Sequence, residues 1–280
     1  MNDKQKVGIQ GIKAAFHDLA ARKYFTGSDL SLFEFGSFEK LAKSLKQGKI
    51  DYAIMAIENS IAGSLLPNYS LIGKYQLKIV GEIYLRIELH LMALPGTKID
   101  DLRYVMSHPM ALLQSREFLN NYPLIEAVEI KDTAESAFTI AEKNLLQYGA
   151  IASELAATQY GLEILARNIE SYKKNYTRFL ILANHGVPSL KADKSSISFV
   201  LPDQPGSLAK ILSRLAAHSI NLTKIQSIPI PGEPNQYSFL IDLVWDNYDT
   251  YLEVMKQLSS EYQVKVFGEY IKAKIPYHEN

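Results

Sequence analysis

Ser37 is followed by apolar residues at Phe38, Leu41, Ala42 and Leu45, then by Gly48, and then by the largely apolar run Tyr52 to Ile57. The i, i+3, i+4, i+7 spacing predicts a helix with one buried face, begun by Ser37 as its cap and left at Gly48. The run that follows reads as a buried strand. Upstream, Val7 to Gln10 reads as a short strand, Gly11 as a turn, and Ala14 to Phe25 as a helix presenting Phe16, Leu19 and Ala20. A rhythm of strand, helix, helix, strand constrains the chain to an α/β domain with parallel pairings.

From Ile83 to Ala93 apolar residues recur at every second position, which predicts one extended strand. Arg103 to Met106 is another strand, with Ser107 expected to cap a helix that tolerates Pro109 in its first turn. Leu124 to Ile130 reads as strand, and Asp132 with Glu135 has capping-box spacing ahead of Ala134, Ala137, Phe138, Ala141 and Leu145. Gly149 to Ala152 is a strand, Ser153 caps a helix ending near Gly161, and Phe179 to Leu182 is a last strand. Asn184 to about Lys194 has the composition of a linker. Beyond it, strand Ser196–Leu201, helix Ser207–His218, strand Asn221–Ile230, a turn at Pro231–Asn235, strand Tyr237–Trp245, a helix from about Asp249 and strand Val264–Ile271 give the ferredoxin-like order βαββαβ.

The 280 residues suffice for about two domains. Thirty basic residues cancel thirty acidic ones, which removes the broad positive field that nucleic acids and anionic membranes require, so neither partner is expected. The chain has no cysteine, hence no disulfide, thiolate metal site or cysteine nucleophile, a pattern suited to a reducing compartment. Met1 to Lys6 leads into a strand rather than a hydrophobic signal core, and no apolar run reaches transmembrane length, so a cytoplasmic protein is expected. The six histidines show no metal-ligand spacing, and no nucleotide-binding glycine motif is present, so no cofactor or metal is expected.

Ligands of open α/β sheets bind beyond the carboxyl ends of strands, and polar groups stand there: Glu58-Asn59-Ser60, Ser107-His108-Pro109 and Tyr176-Thr177-Arg178. Gln114 lies seven residues beyond Ser107, a spacing that would place both on one helix face. Arg178 offers a planar fork for a carboxylate. Each residue also has a structural reading: Ser107 as a helix cap, Asn59 and Ser60 as a turn, and Glu58 with Arg178 as an ion pair.

The residues Asp51-Tyr-Ala-Ile-Met-Ala-Ile-Glu58-Asn59-Ser60-Ile-Ala-Gly63, Ser107-His108-Pro109 with Gln114, Tyr160-Gly161-Leu162 and Asn175-Tyr-Thr177-Arg178-Phe179 resemble, in order and spacing, the prephenate dehydratase family over about residues 7 to 183. Pro205-Gly206-Ser207-Leu208 and Asn221-Leu222-Thr223-Lys224-Ile225 resemble an ACT regulatory domain. The pattern departs at His17, where a serine is common, at Leu91 and Met110, and at Gln226-Ser227-Ile228-Pro229, where Glu-Ser-Arg-Pro is usual.

The resemblance implies a two-lobed α/β catalytic domain over residues 1–188, like a type-II periplasmic binding protein. Lobe 1 would be about 1–76 and 161–188, lobe 2 about 77–160, and the ACT domain 195–275. It implies decarboxylative dehydration of prephenate to phenylpyruvate in phenylalanine synthesis, with Thr177 hydrogen-bonding the departing hydroxyl. A water or Glu58 would supply the proton, Asn59, Ser107 and Gln114 would orient the substrate, Arg178 would bind a carboxylate or brace Glu58, and Ser60 and Phe179 would contact substrate. It further implies a homodimer or homotetramer, with phenylalanine as effector near Gly206, Ser207, Leu208, Asn221, Leu222 and Thr223. Arogenate dehydratase and a non-catalytic sensor are the alternatives. A fused chorismate mutase is not expected, because no helical segment of about 90 residues precedes Val7.

Overall fold

The computed structural model describes residues 4–186, 189, 191–202, 204–229, 237–274 and 276. Val7 and Ile9 of β1 (Gln5–Gln10) are fully buried, and α1 (Phe16–Tyr24) follows after a turn. β2 (Leu30–Phe35) then comes before α2 (Phe38–Lys46), whose Leu41, Ala42 and Leu45 are buried as the spacing requires and whose Lys40 N–H donates to Ser37 Oγ at 3.3 Å. β3 (Tyr52–Asn59), β4 (Gly63–Ser64), α3 (Leu66–Lys74) and β5 (Lys78–Arg86) complete the first run. β2 was not expected. It is an edge strand whose residues are only partly buried or exposed, so it lacks the apolar density that marks its neighbours.

The expected single strand from Ile83 to Ala93 is two. β5 ends at Arg86 and β6 (His90–Ala93) begins a second sheet, so one apolar run serves two lobes with Ile87–Leu89 crossing between them. The second lobe continues with β7 (Tyr104–Ser107), α4 (Pro109–Gln114), α5 (Arg116–Leu119), β8 (Glu126–Glu129), α6 (Thr133–Lys143), β9 (Tyr148–Ala152), α7 (Glu154–Tyr160) and β10 (Glu163–Ala166). The chain then returns to the first sheet as β11 (Tyr176–Ala183). At the crossing, Ile87 N–H donates to Asn175 O at 2.7 Å and Leu89 N–H to the buried carboxylate of Glu170 at 3.0 Å, so outward and return strands are tied together.

The first sheet runs β2-β1-β3-β11-β5 with β4 against β3, and the second β10-β6-β9-β7-β8. In each lobe a first strand lies between two parallel neighbours, β1 between β2 and β3, β7 between β8 and β9, so the two halves share one winding. That is the two-lobed α/β arrangement.

The C-terminal region contains β12 (Lys194–Leu201), α8 (Ser207–Ala217), β13 (Asn221–Pro229), β14 (Tyr237–Val244), α9 (Tyr248–Glu261) and β15 (Val264–Tyr270). Its sheet order, β13-β14-β12-β15 with antiparallel pairs, is the ferredoxin-like one. Ile197, Phe199, Ile241 and Leu243 of the sheet pack with Ile211 and Leu215 of α8 and Tyr251, Val254 and Leu258 of α9. The expected turn at Pro231–Asn235 and Val187, Pro188 and Leu190 of the expected linker lie outside the described residues.

Two compact units emerge, one of Met1–Leu71, Ile83–Leu180 and Lys274–Asn280, the other of Ile72–Glu82 and Ile181–Ala273. The second therefore includes a segment from far upstream. Within it Glu82 and Lys194, both almost fully buried, form a bidentate pair at 2.9 Å, and Glu82 also accepts from Ala273 N–H at 3.0 Å. Lys78 Nζ donates to Val266 O at 3.2 Å and Lys265 Nζ to Gly73 O at 3.1 Å. A Cβ at Gly268 would collide with the Ile79 backbone, so the two backbones meet there without room for a side chain.

Candidate active site

Along β11 and the residue before it, Asn175, Thr177 and Phe179 share one side of the chain and Arg178 the other, because successive side chains in a strand alternate. Thr177 and Phe179 line a cavity of about 370 Å³, with Asn59 at the end of β3, Ile87 and Leu89 at the crossing, and Gln114 at the end of α4. That volume lies within the usual range for small-molecule sites.

The polar groups of this wall have one consistent donor order. Asn59 Oδ1 accepts the backbone N–H groups of Ile61 and Ala62, both at 2.9 Å, which fixes that atom as oxygen. Its Nδ2 must then point at Asn175 Oδ1, 2.8 Å away, and at Thr177 Oγ1, 2.9 Å away. With its oxygen engaged, Asn175 presents Nδ2 to Gln114 Oε1 at 2.8 Å, which leaves the Gln114 NH₂ as a donor beyond the chain. Thr177 Oγ1 receives a bond from Asn59, and among the described residues nothing accepts its own hydrogen. Asn175 is fully buried and joins the lobes through this network, because Asn59 is on β3 and Gln114 on α4.

Two imidazoles also line the cavity. His17 Nε2 accepts Ala56 N–H at 3.3 Å, its ring lies edge-on to Phe179 with centroids 5.0 Å apart, and burial pushes its pKa down to about 3. It is therefore neutral at physiological pH, with its proton on Nδ1, and is no proton source. His108 Nδ1 accepts Met110 N–H at 3.2 Å, so its free nitrogen is Nε2. Met110, like His17 a departure from the family pattern, is on the same lining. Lys131 and Asp132 precede α6 and also face the cavity. Asp132 Oδ1 caps that helix, accepting from Ala134 at 2.8 Å and Glu135 at 3.3 Å, as the sequence predicts.

Other expected residues are elsewhere. Ser107 is the last residue of β7 rather than a helix cap; its hydroxyl donates to Ile151 O at 2.6 Å, and His108 caps α4. The helical-face argument linking Ser107 to Gln114 therefore does not apply, since only Gln114 is helical. Glu58 is half-buried at the β3–β4 pairing opposite Ser64, and Arg178 is buried on the far side of β11; neither lines the cavity. Ser60 is exposed, with its hydroxyl donating to Lys174 O at 3.1 Å and accepting from Tyr176 N–H at 2.9 Å. It closes a turn.

Asn175, Asp132, Lys131 and His17 were not anticipated as cavity residues, whereas His108 belongs to the Ser107-His108-Pro109 group expected beyond its strand. Asn175 had a signal, since it stands two residues before Thr177 and so on the same face. The others meet only through the fold. Among the described residues no group of three His, Asp or Glu could hold a metal ion, and no helix is long and apolar enough to cross a membrane. In the C-terminal unit, Gly206 is left-handed at φ 85° and begins α8 without a side-chain cap, while Asn221, Leu222 and Thr223 open β13, with a register shift between Leu222 and Lys224.

The model of the prephenate dehydratase family matches residues 7–187, and that of the ACT domain residues 195–244. A chloroplastic arogenate dehydratase/prephenate dehydratase 1 of Arabidopsis thaliana is 40% identical over 235 residues, 83% of this chain but 59% of the relative, so the chain spans about six-tenths of that protein. Two solved structures are also similar. GqqA, described as a novel type of quorum quenching acylase, has a TM-score of 0.88 and 29% identity, covering 98% of this chain and all of its own. A prephenate dehydratase of Arthrobacter aurescens in complex with L-Phe has a TM-score of 0.86 and 26% identity, covering 95% of this chain and 90% of its own. With the family's model spanning both lobes and the ACT model following it, this chain belongs to the prephenate dehydratase family.

Proposed function

We propose that the chain converts prephenate to phenylpyruvate, with loss of carbon dioxide and water, and that its C-terminal domain binds phenylalanine as a regulator. The observation that carries the first half is the donor order around Thr177. Asn59 occupies one lone pair of the threonine oxygen, so its hydrogen is left for an acceptor in the cavity, where the departing C4 hydroxyl would stand. Breaking the bond to the ring carboxylate pushes its electron pair through the ring and expels that oxygen, while aromatisation supplies driving force.

An aliphatic hydroxyl is too weak an acid to give up its proton unaided, so Thr177 positions and relays while water supplies the proton. Water is favoured over Glu58 because Glu58 is off the cavity. Gln114 Nε2 orients the substrate, Asn59 orders Thr177, and Phe179 packs against the ring. Arg178 and Ser107 brace the strands behind the site. Purified, EDTA-treated protein is expected to form phenylpyruvate at an undiminished rate; folded protein inactive with prephenate would end this reading.

For the regulator, the first N–H groups of α8 have no side-chain cap at Gly206, and such a helix start favours a carboxylate. We place the effector beside Gly206, Ser207, Leu208, Asn221, Leu222 and Thr223, at an interface between copies in a homodimer or homotetramer of the cytoplasm. Calorimetry is expected to show phenylalanine binding below millimolar concentration, and sedimentation a species larger than the monomer. Heat-silent titration would remove the effector, and a monomer the shared interface.

A further inference from the structure

The dehydratase reading assigns work to Asn59 and Thr177 but none to the imidazole farther along the same wall. His17, near the start of α1, is held by three other elements. Its ring is edge-on to Phe179 of β11 with centroids 5.0 Å apart and tilted against Phe38 of α2 at 5.4 Å, and its Nε2 accepts Ala56 N–H of β3 at 3.3 Å. All four residues line the cavity. A ring nitrogen that accepts a backbone N–H carries no proton, so the proton of the neutral ring is on Nδ1. Nδ1 bonds to nothing among the described residues and is not one of the side-chain atoms sealed off without a partner, so its N–H reaches the open space against the ring, which is the cavity. With only 8% of the residue exposed, the side chain is a donor fixed in place.

Position along β11 says which part of a substrate this donor meets. Thr177 and Phe179 are two residues apart on one side of the strand, so about 7 Å separates their places along the wall, and His17 stands with Phe179. Prephenate has its leaving hydroxyl at C4 and both its carboxylate-bearing groups at C1, across the ring, a separation of the same order. Resting on the dehydratase reading, we infer that His17 Nδ1–H donates to the pyruvyl group on C1 while Thr177 holds the C4 oxygen, the two donors fixing the ring between them. The ring carboxylate is the poorer partner, because it leaves as neutral carbon dioxide and a donor bound to it would hold back the charge that has to enter the ring. The pyruvyl group passes through the reaction unchanged. Burial pushes the His17 pKa down to about 3, so the imidazole adds no cation that would stabilise the departing carboxylate in the ground state. A donor to an unchanging group binds substrate and transition state alike, so His17 acts on KM where Thr177 acts on kcat.

Two amide substitutions separate the two nitrogens. His17→Gln puts its amide where Nε2 stands, so the bond from Ala56 N–H can be kept while the Nδ1 donor is lost. His17→Asn does the reverse, since its amide nitrogen takes the Nδ1 position and the acceptor for Ala56 is lost. With prephenate, His17→Gln is expected to raise KM by about 10-fold or more with kcat within about threefold, the scale of one lost hydrogen bond. His17→Asn should keep KM within about threefold of wild type despite a lower melting temperature. The opposite order, with the glutamine variant at wild-type KM and the asparagine variant impaired, would make His17 a structural residue and overturn the inference, as would a fall in kcat at unchanged KM. Should neither variant fold, ¹⁵N NMR of the wild-type imidazole decides: saturation with phenylpyruvate, which keeps the pyruvyl group but has neither the C4 oxygen nor the ring carboxylate, should move the protonated Nδ1 resonance, and an unmoved resonance would overturn the inference. Either result against it leaves wild-type turnover of prephenate in place, whereas folded wild-type protein inactive with prephenate would remove the dehydratase reading itself.

Discussion

Thr177→Ala is expected to lower kcat by about 10²-fold or more, the usual scale for removing a positioned proton-transfer group. KM should change little, since the interaction strengthens as the C4–oxygen bond breaks and contributes little to the bound ground state. Thr177→Ser retains the oxygen that Asn59 holds at 2.9 Å and loses only the methyl that restricts χ1, so most activity should survive. Steady-state kinetics with melting temperatures for all three proteins check this. Near-wild-type kcat in the alanine variant, or equal loss in both variants accompanied by lost stability, would make the residue structural.

A comparably large loss is expected from Asn175→Asp, although the change is isosteric and Asn175 need not touch substrate. The carboxylate can accept from Asn59 as the amide oxygen does, but its second oxygen would face Gln114 Oε1 across 2.8 Å, acceptor against acceptor. Relief requires Gln114 to rotate its amide and direct Oε1 into the cavity, so the substrate's anionic groups meet an acceptor where they had a donor. Loss of one oriented donor of this kind costs about 10²- to 10³-fold, and kcat/KM should fall on that scale. Gln114→Glu removes the same donor and should show a similar loss without placing a new charge at Asn175. A folded Asn175→Asp protein with wild-type kcat/KM would show that the donor order is irrelevant to turnover.

Where the sequence was legible, the signal was local. Ser37 and Asp132 were read as caps because a cap depends on residues two or three positions away, and the same holds for Ser153, whose hydroxyl accepts Ala156 N–H at 3.3 Å. The βαββαβ order was legible because each amphipathic stretch reports its own period. The break at Ile87–Leu89 was not, since an unbroken apolar alternation carries no mark of where the chain passes from one sheet to another. Ser107 misled for a related reason: serine before a helix is a good cap, yet the strand extends through it and delivers its hydroxyl to Ile151. Asp132 was read correctly as a cap and incompletely as a residue, because spacing accounts for one carboxylate oxygen and only the fold brings the other against Gly11.

The contact of Gly268 with the Ile79 backbone limits how this architecture can be recombined. Since Ile72–Glu82 packs as part of the C-terminal unit, an exchange of C-terminal domains at the 184–194 segment would carry β15 away from the backbone its glycine accommodates and Lys194 away from Glu82. A functional graft would have to move the upstream strand with the domain, or find a recipient whose own strand offers a carboxylate and a bare backbone at the same places. The junction that separates the two modules along the chain is therefore not the junction along which they can be exchanged.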